Sequence, residues 1–266
     1  MRESAGRLLP PYGDVSRFKS VYVVTYGRSG STMLLGYLNL LPGFDIRGEN
    51  YQFSLPMWKM FSRIQETAQL KYRNRHLPES AWYGTQKFNV ETLRRDIYRL
   101  MMNQFYPTQR IPKTMGFKEI RWWQIKPATD VVSQVEWLTS IRPPSAVIFL
   151  TRDLEAVFNS GFWVKTPEAK RVPLQNRLRE FEEIMKTYVA DNPDSAIHLT
   201  HEGFLKDENV RKQLHDFLGV KYSPHYMERA LSVNYSPGPK RHVAAKAAAE
   251  SESAELLEEA LEDSES

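Results

Sequence analysis

The chain has 266 residues, no cysteine, an ordinary globular mix of 41% apolar and 26% charged residues, and a formal net charge of +4. Without cysteine there is no disulfide framework, no thiolate nucleophile and no cysteine-ligated zinc or iron–sulfur site, and the six histidines show no H-x-x-x-H spacing. The purest apolar runs, Val21–Val24 and Ala146–Leu150, are far shorter than the roughly 20 residues that cross a bilayer, and Leu8 and Leu9 behind Arg2 and Arg7 make no signal-peptide core, so a soluble protein of a reducing compartment, the cytoplasm, is expected.

Residues 19–26 are β-branched and aromatic and predict a buried strand. A Gly/Ser/Arg turn follows, then Thr32–Leu41 is apolar at helical spacing and stops before Pro42-Gly43. Residues 44–46 suit a short second strand. Residues 54–72 and 90–105 read as helices, with a loop over Pro78–Gly84. Thr114–Ile120 reads as a strand, and residues 123–140 as a helix that ends before Pro143-Pro144. Ser145–Thr151 is the clearest interior strand. Asp153 suits the N-cap of a helix reaching Phe162. A charged helix over 173–190, a strand at 196–200 and a helix over 203–218 with Gly219 as C-cap complete the order. This alternation predicts an α/β fold in three layers, a mostly parallel sheet flanked by helices, with ligands beyond the carboxyl ends of the strands.

The chain then changes character. Residues 244–266 hold Lys246 against eight acids, a net of −7, so residues 1–243 carry +11. The expected organisation is one domain over 1–243 and an acidic Ala/Glu/Ser tail over 244–266, disordered or loosely helical around Glu255–Leu261. A body this basic suits a polyanionic small molecule. It has no zinc finger, RNP-type motif or aromatic-interleaved basic stripe for nucleic acid.

The first strand runs into Tyr26-Gly27-Arg28-Ser29-Gly30-Ser31-Thr32 and a helix. Strand, Gly/Ser turn and helix N-terminus make an anion cradle of backbone N–H groups. Arg28 adds a full charge, and Ser29, Ser31 and Thr32 add hydroxyls. The plain alternative is an unliganded turn. A nucleoside-triphosphate loop of the form G-x-x-x-x-G-K-[ST], aligned on Gly30, would place its lysine at Ser31 and its first glycine at Thr25. The missing lysine argues against a nucleotide kinase-like phosphotransferase.

Residues 22–38 resemble the 5′-phosphosulfate loop of sulfotransferases that use 3′-phosphoadenosine-5′-phosphosulfate (PAPS). A second stretch fits the same family: the strand Ala146–Leu150 runs into Thr151-Arg152-Asp153, with Ser160 eight residues after Arg152. The resemblance implies that Arg152 and Ser160 bind the donor's 3′-phosphate, and Gly116-Phe117-Lys118-Glu119 and Ile197–Gly219 also look like the family. It covers roughly residues 19–222, and implies the P-loop-like sulfotransferase fold, PAPS as sulfuryl donor and no metal. A guanidinium with a hydroxyl distinguishes a phosphate monoester from a ribose hydroxyl.

Sulfuryl transfer resembles phosphoryl transfer with one less negative charge, so fixed cations suffice to stabilise it. The expected catalytic residues are Arg28, Lys118 and Glu49. The resemblance places Lys118 on the bridging or a sulfuryl oxygen; alternatively it is a surface lysine paired with Glu119. Glu49, in Arg47-Gly48-Glu49-Asn50, is the candidate base, as a glutamate is in the similar Gly-Glu context of tyrosylprotein sulfotransferases. Alternatively Glu49 is structural, paired with Arg47 or the backbone, and His198 or His201 takes the proton. A non-catalytic nucleotide-binding protein is the remaining reading.

The acceptor is expected to be the hydroxyl of a glycan, a glycolipid or a small hydroxylated metabolite, with no nucleic acid partner and no membrane insertion. Trp58, Trp82, Tyr83, Trp122, Trp123 and Trp163 are candidates to stack on it or on adenine, with helix packing as the alternative. Trp122-Trp123 attracts most interest because it follows Lys118. The loop Asn234–His242 offers Lys240 and Arg241 to the 3′-phosphate, or is a basic linker.

Overall fold

A computed structural model describes residues 15–107 and 112–233. The loop at 234–242 with Lys240 and Arg241, the acidic tail and the segment holding Arg2 and Arg7 lie outside the described residues. Among the described residues, fourteen strands and α-helices follow one another. They are β1 (Ser20–Val24), α1 (Ser31–Leu38), β2 (Phe44–Arg47), α2 (Ser54–Gln69), α3 (Val90–Phe105), β3 (Thr114–Glu119), α4 (Thr129–Ile141), β4 (Ser145–Thr151), α5 (Leu154–Phe158), α6 (Glu168–Asp191), β5 (Ala196–Thr200), α7 (His201–Lys206), α8 (Glu208–Leu218) and α9 (His225–Leu231). The strands form one sheet in the order β2-β3-β1-β4-β5, and all pairs are parallel. Helices cover both faces, so the α/β architecture expected from the alternation is the one observed.

The pleat explains the two cores. Successive side chains of a strand leave opposite faces. Tyr22, Val24, Phe117, Val147 and Phe149 join α2 to α6 on one face. Val21, Val23, Ala146, Ile148 and Leu150 join α1 and α7 to α9 on the other. This two-sided burial is why β1 and β4 read as unbroken apolar runs. Burying one such side chain, Phe149 for example, stabilises the fold by about 2–3 kcal/mol.

Several boundaries differ from the periodicity, each for a local reason. Residues 123–140 divide into a short 3-10 turn at Trp122–Gln124 and α4. The helix after Asp153 stops at Phe158, although the Asp153 carboxylate does cap it by accepting from the Ala156 N–H at 2.8 Å. Ser160 is then extended, ahead of a 3-10 turn at Gly161–Lys165. The apolar spacing over 203–218 is shared by two helices, because Asp207 leaves the helix of α7 and caps α8 at the Asn209 N–H, 2.8 Å away. The apolar face runs through that break, so periodicity alone does not see it. Helix α9 follows Pro224, which starts a helix well because its missing N–H is not needed there. Among the described residues no helix is long and apolar enough to cross a membrane.

The strand order places the site. The connection leaving β1 runs to the β2 edge, and the one leaving β4 runs to the β5 edge. A crevice therefore opens between the carboxyl ends of β1 and β4, the place where open α/β sheets bind ligands.

Candidate functional site

Both candidate anion motifs meet at that crevice. After β1 the chain turns through Arg28 at φ 68° and Gly30 at φ 83°. Left-handed residues in this arrangement gather backbone N–H groups into a concave nest at the start of α1, whose N-terminus no side chain caps. At Gly30 the left-handed φ and the space both demand glycine: an added Cβ would lie 2.1 Å from the His201 ring.

The loop is braced from beneath. Thr25 Oγ1 donates to the Leu150 carbonyl at 2.6 Å, which spends its single proton, so Ser29 donates to Thr25 at 2.7 Å. Ser29 is buried, and its hydroxyl is structural rather than presented to a ligand. Ser31 is buried at the helix start, and Thr32 is exposed. Trp163 Nε1 donates to the Gly27 carbonyl at 3.2 Å, and the Phe162 ring packs against Gly27.

The two motifs also bond to each other. Arg28 Nε donates to Ser160 Oγ at 3.1 Å, and Arg152 Nη1 donates to the Arg28 carbonyl at 3.0 Å. Gly161, at φ 60°, makes room for this, since a Cβ there would lie 2.6 Å from Arg28 Nε. Arg152 Nε is buried without a hydrogen-bond partner, the Glu202 carboxylate standing 3.9 Å away. A partly exposed guanidinium with donor capacity left over suits an incoming anion. Behind it the Tyr26 hydroxyl accepts from the Arg152 N–H at 2.9 Å and donates to Glu182 at 2.6 Å. Burial, then the Glu182 carboxylate, pushes the Tyr26 pKa far up, so the hydroxyl keeps its proton.

Lys118 stands one strand away, in register with Val23 on the α1 face. Its side chain is 4% exposed, and its ammonium donates to Glu49 Oε1. Arg121 Nη1 lies 3.7 Å from the other oxygen of Glu49. Arg47, the sequence-level alternative partner of Glu49, pairs with Asp45 at 3.0 Å. The Lys118–Glu119 pairing is absent, because neighbours on a strand leave opposite faces. That period-2 argument was already available in the sequence.

The histidines divide. His198 shares a 2.8 Å hydrogen bond with Thr151 and stacks on Phe149, and burial lowers its pKa. His201 lies against Gly30, its pKa lowered by burial and then by Arg152. Both are neutral near pH 7. The aromatic candidates mostly belong to the core. Trp58, Trp122, Trp123 and Trp163 are buried, while Trp82 and Tyr83 are exposed. The pair Trp122-Trp123 is a packing element under the β3 end, because the 3-10 turn rolls both rings into the apolar layer. Sequence reasoning missed Tyr26, Glu182 and Gly161, whose roles depend on partners more than 130 residues away.

No curated protein sequence matches the chain. Among solved structures it is similar to the sulfotransferase domain of the Synechococcus PCC 7002 olefin synthase, at 17% identity and TM-score 0.51 over 84% of this chain and 81% of that one. It is also similar to a sulfotransferase from Alicyclobacillus acidocaldarius, at 15% identity and TM-score 0.47 over 82% of this chain and 91% of that one. The model of a sulfotransferase family matches residues 20–224, more than half of the chain and the whole span from β1 to the end of α8. The chain belongs to the sulfotransferase family.

Proposed function

We propose that this protein transfers a sulfuryl group from PAPS to an acceptor hydroxyl. The observation that carries the reading is the junction of the two anion motifs, with Arg152 bonded to the Arg28 backbone and Arg28 bonded to Ser160. One continuous cationic crevice suits a ligand with phosphate at both ends of a nucleoside. The residues fit such a donor: the nest of residues 27–32 and Arg28 suit a 5′-phosphosulfate, and Arg152 with Ser160 suits a 3′-phosphate.

When bound, the donor supplies a sulfuryl group on a mixed anhydride. Glu49 accepts the proton of the acceptor hydroxyl as its oxygen forms the new bond to sulfur. The bond from sulfur to the bridging oxygen breaks, and the electron pair stays on the 5′-phosphate. Lys118 and Arg28 meet that growing negative charge. The Lys118–Glu49 contact couples the two events. A protonated Glu49 no longer holds the ammonium, which is then released toward the leaving oxygen.

Of the aromatics that favoured a glycan or glycolipid, only Trp82 and Tyr83 are exposed. The test of the donor is calorimetry. Adenosine 3′,5′-bisphosphate (PAP) should bind at least tenfold more tightly than AMP, and equal affinities would remove the 3′-phosphate site. A screen of acceptor classes with radiolabelled PAPS then reads the transfer itself.

A further inference from the structure

Strand β3 ends on two charged residues that leave opposite faces of the sheet. Lys118 reaches Glu49 on the α1 side. Glu119 is in register with Val24, leaves on the other side and is 0% exposed. Its carboxylate is saturated with donors. One oxygen accepts from the N–H of Ile120 at 2.7 Å, the N–H of Arg121 at 3.2 Å and Arg121 Nη1 at 2.9 Å. The other accepts from the N–H of Asn50 at 3.1 Å and of Gln52 at 2.8 Å.

Those last two groups belong to the turn that begins one residue after Glu49. The turn is strained, since Tyr51 at φ 58° and Gln52 at φ 54° are consecutive left-handed residues with side chains. Such a conformation persists only where its surroundings impose it. Here Glu119 imposes it through two backbone N–H groups. Gln52 Nε2 adds a bond to the Arg121 carbonyl at 2.9 Å, and the Arg121 guanidinium lies 4.6 Å from the centre of the Tyr51 ring.

We infer that Glu119 is a positioning residue that pins the Asn50–Gln52 turn and thereby holds Glu49 against Lys118. Two successive β3 residues thus clamp the Glu49 loop, Lys118 through the Glu49 carboxylate and Glu119 through the backbone behind it. The inference rests on the reading of Glu49 as the base.

The test compares wild type, Glu119→Gln, Glu49→Gln and the double variant. Glutamine keeps the shape of Glu119 but turns an NH2 toward N–H donors. Three quantities are measured: PAP affinity by calorimetry, the rate of sulfuryl loss from labelled PAPS to water or the best acceptor, and hydrogen exchange of the 49–53 segment. Glu119→Gln should lower kcat at least tenfold, leave PAP affinity within threefold and speed exchange in 49–53 while β1 and β4 keep their protection. The double variant should be no slower than Glu49→Gln alone. Wild-type kcat and exchange in Glu119→Gln would overturn the inference. So would a loss of PAP affinity as large as the loss of rate, or a full additional penalty in the double variant. If Glu49→Gln retains the wild-type rate, the base assignment fails, and the exchange measurement still decides whether Glu119 holds the turn. Should Glu119→Gln not fold, Glu119→Asp is read the same way, since it keeps the charge for Arg121 but is one methylene too short for the turn.

Discussion

The Lys118 ammonium and the Glu49 carboxylate form a half-buried ion pair at the carboxyl end of β3, the lysine almost wholly covered and the glutamate 37% exposed. On the proposed reading the asymmetry suits transfer chemistry: the lysine is held within the protein, while the carboxylate proposed as base remains open to solvent.

Glu49→Gln retains the size of the proposed base and removes its proton affinity. Turnover should fall by about 10²–10⁴-fold, the usual worth of a general base, while PAP binding stays within threefold. Initial rates with labelled PAPS and calorimetry on the same variant check both parts. A full rate would move the base to His201, which lies against Gly30.

Arg152→Ala removes a guanidinium that has unused donor capacity and bonds the Arg28 backbone. Hydrogen bonds to charged groups contribute about 1.5–3 kcal/mol each, so PAP affinity should fall at least tenfold. AMP, without the 3′-phosphate, should lose little. Equal losses for both ligands would show that Arg152 acts only by bracing the Arg28 loop.

Gly161→Ala places a methyl group 2.6 Å from Arg28 Nε at a left-handed position. The backbone alone costs about 1–2 kcal/mol, a fall in Tm of a few degrees for a domain of this size. The displaced Arg28 should also weaken PAP binding. Thermal melts with and without PAP separate the effects: the Tm gain on adding PAP should shrink in the variant.

Acid should destabilise the fold through three histidines. Burial is the main cause that lowers the pKa values of His198, His201 and His215. His215 is held neutral between the Tyr37 hydroxyl at 2.8 Å and the Val220 and Lys221 carbonyls, which require its proton on Nδ1. The unfolded chain takes up protons below about pH 6.5 while the folded chain resists them. Stability is therefore full above that value and declines as pH falls from it toward the depressed folded values. Melts from pH 8 to 5 should show a Tm plateau and then a fall that is shallower in His215→Gln, measured against that variant's own plateau.

The strands were legible because burial on both faces leaves unbroken β-branched runs, as in Ser20–Val24 and Ser145–Thr151. The Arg28 loop was legible because its donors lie within six residues and local backbone geometry makes the cradle. The break at Asp207 was hidden, because the apolar face continues through it from Phe204 to Leu214. The tryptophans were misleading for a related reason. Position after a strand does not say whether a turn rolls the ring inward, as it does at Trp122.

The sequence by itself determined the α/β order, the two arginine motifs and the candidacy of Glu49 and Lys118, since each depends on neighbours along the chain. Tertiary structure alone decided which charges meet. Parallel pairing of β3 with β1, and the opposite faces of successive strand residues, send Lys118 to Glu49 and Glu119 to the turn behind it. The bonds of Arg28 to Ser160 and of Tyr26 to Glu182 close over 132 and 156 residues. No local pattern encodes contacts at that separation, because they exist only once the sheet has set the carboxyl ends of β1, β3 and β4 side by side.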